Sequence, residues 1–462
     1  MSYTDNNNHI SSHQKKLWSD ITNEIDKSMT STIQIRNYVI QDHVEFYAFS
    51  KPVSFFDCYF LKDIVFRGIH PKYVNFFNCC FDESLSVYAS FSSDFTLDTV
   101  SCKQDISIFR GTYESCNWSF ADCSDITIIG GHFNKLYIST KNKEIDNLSL
   151  RSNIEGDINI VNAKIEKIDV SGLNEKSNLS IFDSNINVVN FKNYRNDGKL
   201  NISNVTRLKN NKPSMFYVDK SYLGKAEFYN IDFNQYDVVN FDDTSLVDCI
   251  FVNIIWKPLI TAGFEYYIFP TTDKKERELF TWVNKNVNNF LSPHTEFRTE
   301  KSRILYFRKS REVYRQLKYA LSKQGDVINE QYFHSKEMIV YKKSLLWFSR
   351  DFGTKLIISL SQWTSNFGQS IFLPIFWLLI GHLILCTLAW LYSAITVASI
   401  GDYVNAYLIL INPLHSYNIP SENWGTYEIS FKGALVLIDI AMRIWSSYMI
   451  YNIIRASRRF IK

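Results

Sequence analysis

Two opposite charges lie four residues apart near the C-terminus, in a stretch that is otherwise largely apolar. They are Asp439 and Arg443, both within residues 433–454. Side chains at positions i and i+4 share one face of a helix, so the carboxylate and the guanidinium can form an ion pair. Ionised groups inside membrane helices are rare and mark ion pathways or subunit contacts. The pair is therefore a candidate pore-lining or subunit-contact site. The alternatives are a self-neutralising pair or an interfacial helix that does not span.

Three further polar residues extend this set of membrane or pore candidates. His382 is the only histidine in the apolar run 371–400, and Asn412 and His415 lie in the connection that follows. A potassium-selective pore would need a TVGYG-like loop of backbone carbonyls, and the sequence has none. A non-selective pore remains open if several copies of the chain assemble.

Four cysteines recur at nearly constant spacing. Cys58, Cys79, Cys102 and Cys123 are separated by 21, 23 and 21 residues. Small, soft side chains of this kind suit an interior column, so we expect one inward-facing core stack. A metal or redox ladder is the alternative, but the chain lacks a CxxC pair and a secretory signal, which argues against metal sites and disulfides. We predict no cofactor and no metal.

Motifs of known enzyme classes are missing from the sequence. It has no HExxH, no glycine-rich phosphate loop and no recognisable Ser/His/Asp set. Acidic and amide residues such as Asp57, Asn78 and Asp122 recur at positions that read as turns, where their side chains hydrogen-bond locally. We therefore predict that the chain is not an enzyme, although acids converging on one face of a β-helix would revive that reading. The net charge of +3 argues against a nucleic-acid partner.

Residues 40–255 contain a repeat with a period near 21. The segment Val53-Ser-Phe-Phe-Asp-Cys-Tyr-Phe60 returns as Val74-Asn-Phe-Phe-Asn-Cys-Cys-Phe81, and weaker apolar–polar–apolar echoes follow. Short alternating strands separated by Asn, Asp, Ser and Gly predict a β-solenoid, in which each coil packs on its neighbours. We assign 1–39 to a polar, helical lead-in and 40–270 to the solenoid. The more charged segment 141–176 is expected to be an irregular coil or to carry loops.

The apolar spacing becomes helical in the connector, residues 271–355. Val313, Leu317, Ala320 and Leu321 share one helix face, and Gly325-Asp326 interrupts the pattern, with Asp326 as a helix N-cap. A second helix then runs to about Trp347. This hairpin is either a docking or oligomerisation collar or a rigid spacer.

Residues 356–462 are expected to form a transmembrane module. No Asp, Glu, Lys or Arg occurs between Lys355 and Asp402, and the predicted spans are 371–394 and 433–454. The sequence before the first span and the tail after the second span are rich in Lys and Arg. The connection between the two spans, residues 401–431, contains acidic residues and no Lys or Arg. The positive-inside rule therefore places both termini in the cytoplasm.

Several motifs resemble a known family. The repeats resemble pentapeptide-repeat proteins, and the C-terminal half is similar to bacterial membrane-anchored members of that family. The motifs that carry the second resemblance are Tyr314-Arg-Gln-Leu-Lys318, Gln324-Gly-Asp326, Thr364-Ser-Asn-Phe-Gly368, Ile411-Asn-Pro-Leu-His415 and Ala456-Ser-Arg-Arg-Phe460. The resemblance implies a right-handed quadrilateral β-helix, a helical hairpin and a two-span, channel-like module in the bacterial inner membrane. It supplies no catalytic residue.

Two functions are consistent with these patterns. In the first, the chain is a membrane sensor or effector: the solenoid binds a cytoplasmic protein and an oligomeric two-span module forms or gates a pore. By analogy this would be an antiphage, abortive-infection role. In the second, the chain is a membrane-tethered scaffold without a pore. The expected partners are the lipid bilayer, further copies of the chain and an unidentified cytoplasmic protein.

Overall fold

The computed structural model describes residues 14–27, 30–47, 51–141, 143–210, 212–258, 260, 300–346, 350–393, 400–414 and 432–457. The chain divides into two units, Met1–Gln316 and Leu317–Lys462. The first contains a β-solenoid of about 11 turns. The predicted solenoid followed by helices is thereby confirmed.

The first unit contains short and long strands that alternate with corners. The strands are β1 (Gln14–Lys16), β2 (Ile33–Arg36), β3 (Tyr38–Ile40), β4 (Val44–Phe46), β5 (Val53–Phe56), β6 (Tyr59–Phe60), β7 (Ile64–His70), β8 (Val74–Phe77), β9 (Cys80–Phe81), β10 (Leu85–Phe109), β11 (Thr112–Thr140), β12 (Ile145–Val161), β13 (Lys164–Asn174), β14 (Asn178–Phe182), β15 (Asn185–Asn196), β16 (Lys199–Ser203), β17 (Met215–Asp219), β18 (Glu227–Tyr229), β19 (Val238–Asp242) and β20 (Ile250–Val252). A 3₁₀ turn, Phe233–Gln235, lies between β18 and β19.

Strands from successive turns pair in parallel and in register. One stack begins β2–β5–β8, a second β3–β6–β9, and a third β4–β7 and the start of β10. Val53 pairs with Val74, for example, which is a step of 21 residues. The sequence period is therefore the length of one turn, and equivalent residues of successive turns lie directly above one another.

The interior is filled by columns of stacked rings. Phe55 and Phe76 stack at 4.9 Å between centroids, and Tyr113 and Phe133 at 4.6 Å. A ring separation this close to the strand spacing of about 4.8 Å means that each side chain packs against its equivalent in the next turn. His70 belongs to such a column, and burial lowers the pKa of its imidazole.

One corner of the solenoid carries a ladder of amide and carboxyl side chains. Asp183, Asn204, Asn230 and Asn253 all adopt left-handed backbone conformations, with φ between 51° and 55°. Each amide nitrogen donates to the side-chain oxygen of the residue one turn earlier, at 2.8 Å. Asn and Asp tolerate this conformation better than other residues with a Cβ, which explains why they recur at the corner.

The cysteines form two pairs instead of one column. The register places Cys58 over Cys79, because their neighbours Tyr59 and Cys80 are partners. Cys102 instead pairs with Phe81 and with Cys123. A step of 23 residues between Cys79 and Cys102 overshoots one turn by two positions, which shifts the second pair to the next inward position.

All four thiols of these pairs are buried, and no disulfide links the eight cysteines, all of which lie within the described residues. Burial raises the pKa of Cys79, and a hydrogen bond with Cys102 together with burial raises that of Cys123, whereas a hydrogen bond with Cys79 lowers the pKa of Cys58. Enclosed thiols whose pKa is raised, as at Cys79 and Cys123, behave as small apolar side chains and are poor metal ligands or nucleophiles.

The expectation of an irregular coil over residues 141–176 is wrong. Strands β12 and β13 continue the ladder there, with Leu148 paired to Ile168 and Leu150 to Val170. The charged residues of this segment point outward, while the intervening apolar residues keep the period. Surface charge therefore carried no information about backbone regularity.

Helices cover both ends of the solenoid. Helix α1 (Trp18–Lys27) packs the Trp18 ring on Phe46 at 4.8 Å. At the other end lies helix α2 (Glu300–Lys323), whose Lys309 binds Asp242 at 3.1 Å and Asp243 at 3.0 Å. Burial raises the pKa of Asp242 to about 6 even though Lys309 opposes the shift. Terminal turns of a solenoid need such covers, since their interior would otherwise meet water.

The second unit is helical. Its further helices are α3 (Val327–Ser344), α4 (Phe352–Ser365), α5 (Phe372–Ser393), α6 (Ile400–Leu410) and α7 (Lys432–Ser457), with a 3₁₀ turn at Asn366–Gly368. Asp326 caps α3 by accepting from the backbone nitrogen of Asn329 at 3.1 Å, and Gly325 before it has a φ of 76°. The hairpin turn therefore contains Gly325 and Asp326, the two residues from which it was predicted.

Candidate functional site

Helices α5 and α7 bury polar side chains and expose apolar ones. Four polar residues, which we call the polar seam, are at most 6% exposed: His382, Asp439, Ser446 and Asn452. The exposed positions of the same two helices are mostly apolar. The apolar side chains with the highest exposed fractions are those of Phe372, Phe376, Leu379, Leu383, Ile384, Leu391, Leu437, Ile440, Ile444, Tyr451 and Ile454. This distribution is the reverse of what water favours for a helical bundle.

Asp439 and Arg443 form the predicted intrahelical ion pair. The Nε of Arg443 donates to Oδ2 of Asp439 at 2.9 Å. The Asp439 side chain is 8% exposed, whereas that of Arg443 is 31% exposed. The carboxylate is therefore neutralised within its own helix, and only the guanidinium reaches the surface of the unit.

His382 of α5 lies against α7 and α6. Its Nδ1 is 3.4 Å from the Ser446 hydroxyl, and its ring meets that of Tyr407 edge to face at 5.5 Å. Both His382 and Ser446 are fully buried, so the hydroxyl–imidazole contact has no accessible face on which a substrate could bind. The contact holds α5 against α7. A substrate cannot reach the buried hydroxyl, as nucleophilic catalysis would require.

Close contact between α5 and α7 depends on a glycine. A Cβ at Gly381 would lie 2.5 Å from Nε1 of Trp445, so no other residue fits there without a shift. The Trp445 indole donates to the Trp377 backbone oxygen at 3.0 Å, and the Trp377 indole donates to the Trp363 oxygen at 3.1 Å. These bonds join α7, α5 and α4 without using a charged group.

The remaining candidates have other roles or positions. Asn412 lies in the turn after α6, where its side-chain oxygen accepts from the Leu414 backbone nitrogen at 3.0 Å, an arrangement that stabilises the turn. His415 lies outside the described residues.

One helix in the described part of the chain is long and apolar enough to cross a bilayer, judged by length and composition. It is Phe372–Ala389 of α5, with a mean hydropathy of 2.2. The second predicted span, 433–454, lies in α7, which is not among the helices found to meet this criterion within the described residues. Two spans are therefore not established by composition.

A second polar cluster, which we call the polar junction, was not anticipated from the sequence. Nη2 of Arg455, near the end of α7, lies 3.3 Å from Nε2 of His334 in α3. Lys318 binds Glu337 at 2.7 Å, and the Glu337 side chain is only 4% exposed. Gln369 donates to the Ser335 hydroxyl at 2.9 Å. Partners separated by up to 121 residues leave no local pattern, so only the tertiary structure could identify them.

The polar junction is held by an unusual backbone. Asn366, Phe367 and Gly368 have φ angles of 46°, 59° and 85°, three consecutive residues in the left-handed region. A Cβ at position 368 would lie 3.3 Å from Nε of Arg455. Strained conformations of this kind persist only where surrounding contacts hold them, and here they reverse the chain between α4 and α5.

We expect the stability of the polar junction to depend on pH. Burial, together with the charges of Lys318 and Arg455, lowers the pKa of His334, while Glu337 and Glu330 oppose the shift. Because the folded pKa lies below the unfolded value of about 6.5, the contribution is complete above that pH and is lost as pH falls below it. Thermal unfolding of the full chain in detergent should show a smaller acid-induced loss for His334→Gln. An equal loss in both proteins would contradict the assignment.

An open apolar groove of about 370 Å³ lies between α5 and α6, lined by Leu379, Ile380, Leu383, Tyr403, Val404, Tyr407 and Leu408. Within the described residues, no group of three His, Cys, Asp or Glu side chains is placed to hold a metal ion.

No protein-family model, curated protein or solved structure matches the chain. Its function has to be argued from its own geometry.

Proposed function

We propose that the chain is a membrane-anchored binding protein of the bacterial inner membrane. The helices around α5 and α7 would lie in lipid, and the β-solenoid would bind a cytoplasmic protein. The observation that carries the proposal is the reversed burial of α5 and α7. Lipid accommodates an apolar exterior, and polar side chains are then satisfied inside the bundle.

The ion pair of α7 is compatible with a membrane environment. A lone charge at mid-bilayer costs about 2.5–3.5 kcal/mol on insertion scales, which counts against a span that contains two. In α7 the Asp439 carboxylate is enclosed and paired, so much of that cost is offset by the contact itself. We therefore propose α7 as the second membrane helix despite its composition.

Flanking charges support an orientation with both ends in the cytoplasm. Lys342, Lys343, Arg350 and Lys355 precede α5, and the C-terminal tail is basic. Lys355 donates to the Leu345 backbone oxygen at 2.7 Å, which ties the start of α4 to the end of α3.

We also propose that the solenoid is a right-handed, four-sided β-helix of the pentapeptide-repeat type. In one turn the buried residues Phe55, Phe60, Phe66 and His70 follow at intervals of five, six and four residues. An inward residue about every fifth position is what four short sides per turn require.

The test of membrane embedding is to charge the outer face of the helices. Leu383 is 44% and Ile444 is 64% exposed. In a water-soluble protein, Leu383→Lys and Ile444→Lys would be neutral or would improve solubility. In lipid each substitution should cost about 2.5–3.5 kcal/mol and shift the full chain from the carbonate-resistant membrane fraction to the soluble or degraded fraction. Lys substitution of Tyr222, an exposed residue of the solenoid, is the matched control. Unchanged membrane integration of the double variant would contradict the proposal.

A second candidate function is a pore formed or gated by several copies, the role expected of an antiphage effector. The observation that favours it is the partial exposure of the Arg443 guanidinium, which an oligomer could direct toward a wet path. Liposomes containing the purified chain would carry an ion flux that Arg443→Leu reduces. If the liposomes carry no ion flux under any condition, the anchored binding protein remains as the proposed function.

A further inference from the structure

One side of the solenoid carries a row of basic and aromatic side chains, which we call the basic–aromatic stripe. It consists of Arg67, Tyr88, Phe109, Ile129 and Arg151, one residue from each of five successive turns. Arg67 pairs in register with Tyr88, Phe109 with Ile129, and Ile129 with Arg151. The Tyr88 and Phe109 rings stack at 4.5 Å with 1° between their planes. The row therefore runs parallel to the solenoid axis.

The stripe is open to solvent. Tyr88 is 48% exposed, the Arg67 side chain is 50% exposed, and Arg151 is exposed. Phe109 and Ile129 are half-buried. Contiguous exposed apolar and aromatic surface is uncommon on solvated proteins and marks interaction sites, above all when charged residues border it.

An arginine stands at each end of the stripe, Arg67 at one and Arg151 at the other. Arg67 forms an ion pair with Glu45 at 3.2 Å. The pair is exposed, so salt in solution screens it. Arg110 adds a third exposed guanidinium beside Phe109. A partner that fits must therefore present carboxylates at both ends and apolar side chains between them.

The spacing of the stripe selects an α-helix. Four steps of about 4.8 Å place Arg67 and Arg151 about 19 Å apart. One face of a helix presents a side chain about every 5.4 Å, close to the step between turns, whereas one face of an extended strand presents one about every 6.7 Å. The repeat of one helix face that comes nearest to 19 Å is four turns, which is about 14 residues and about 21 Å.

The chain itself docks a helix farther along the same stack. Residues Lys192, Asp219 and Asp242 are paired in register beyond Arg151. There Lys309 of α2, the helix at the end of the solenoid, binds Asp242 at 3.1 Å. A charged side chain of a helix thus already pairs with one residue of this stack.

A single-stranded nucleic acid fits less well. Bases stack on the open faces of aromatic rings. Here Phe109 covers one face of Tyr88, and the guanidinium of Arg67 lies 5.8 Å from its ring centroid. The edges of the rings face outward, which suits aliphatic side chains.

We propose that the basic–aromatic stripe binds an amphipathic helix of a partner protein, with acidic residues about 14 positions apart on one face and apolar residues between them. The inference rests on the proposed binding function of the solenoid and specifies its surface and its partner class.

The probe is a designed helical peptide of about 20 residues, with Glu at two positions separated by 14 and Leu at the intervening positions of that face. A matched peptide carries Lys in place of each Glu. We expect the full chain in detergent to bind the acidic peptide at least about tenfold more tightly, measured by fluorescence anisotropy. Arg151→Glu should weaken that binding about tenfold and reduce or reverse the preference between the peptides.

Controls separate this surface from the rest of the solenoid. Arg195→Glu changes an arginine that is 68% exposed and lies outside the stripe, so it should leave acidic-peptide binding unchanged. Equal binding of both peptides, no binding of either, or tighter binding of a single-stranded oligonucleotide would overturn the inference. Those results would leave the membrane-fraction experiment unaffected, so failure of the stripe and failure of the proposed anchor are distinguishable.

Discussion

Replacing Asp439 with leucine is expected to destabilise the helical unit by about 3–5 kcal/mol, because the substitution leaves the Arg443 charge partly buried without its partner. The pair is short, at 2.9 Å, and its carboxylate is enclosed. Removing both charges in Asp439→Leu/Arg443→Leu should recover most of the loss, since neither a buried cation nor a buried anion remains. Thermal unfolding of the full chain in detergent measures the effect.

The design of this experiment is a double-mutant cycle. Ile440→Ala, at an adjacent position that is 46% exposed, is the control for helix disruption and should cost about 1 kcal/mol or less. If the two charge substitutions prove additive, the pair contributes no coupling, and the account of how α7 tolerates its charges is wrong.

Phe76→Ala is expected to cost about 3–5 kcal/mol, the range for deleting a fully buried ring. Phe76 stacks on Phe55 at 4.9 Å and meets Phe60 and Phe81 edge to face at 5.8 and 5.5 Å. In a solenoid each turn is stabilised only by its neighbours, so the loss should be local. Hydrogen exchange should therefore accelerate in β5 and β8 before it does in distant turns.

The adjacent residue is the matched control. Phe77 belongs to the same strand but points outward, where it stacks on Phe56 at 4.9 Å. Phe77→Ala should cost no more than about 1.5 kcal/mol, since it removes a surface ring pair without creating a cavity. Equal effects at positions 76 and 77 would contradict the inward and outward assignment of this strand.

Local spacing predicted the solenoid well. The repeat near 21 residues corresponds to the step between paired strands, as in Val53 and Val74. Turn chemistry likewise identified Asp57 and Asn78 as corner residues, and their side chains bond at 2.6 Å. Such features depend on backbone preferences within a few residues, and sequence displays those directly.

Register was harder to predict than periodicity. A uniform spacing suggested one cysteine column, but a single interval of 23 residues moved Cys102 over Phe81. The charges of residues 141–176 suggested irregularity although β12 and β13 are continuous. Both errors arose because the type of residue was considered and its position within the 21-residue turn of the solenoid was not.

By itself, the sequence determined the repeating strands, the hairpin turn at Gly325 and Asp326, and an apolar helix near residue 380, because each depends on neighbours in the chain. Only the tertiary structure decided which helix face is buried, that Asp439 is enclosed while apolar side chains of α7 face outward, and that Arg455 meets His334 across 121 residues. Those outcomes depend on which surfaces meet when distant segments pack, and that is set by the sum of many contacts that no local pattern records.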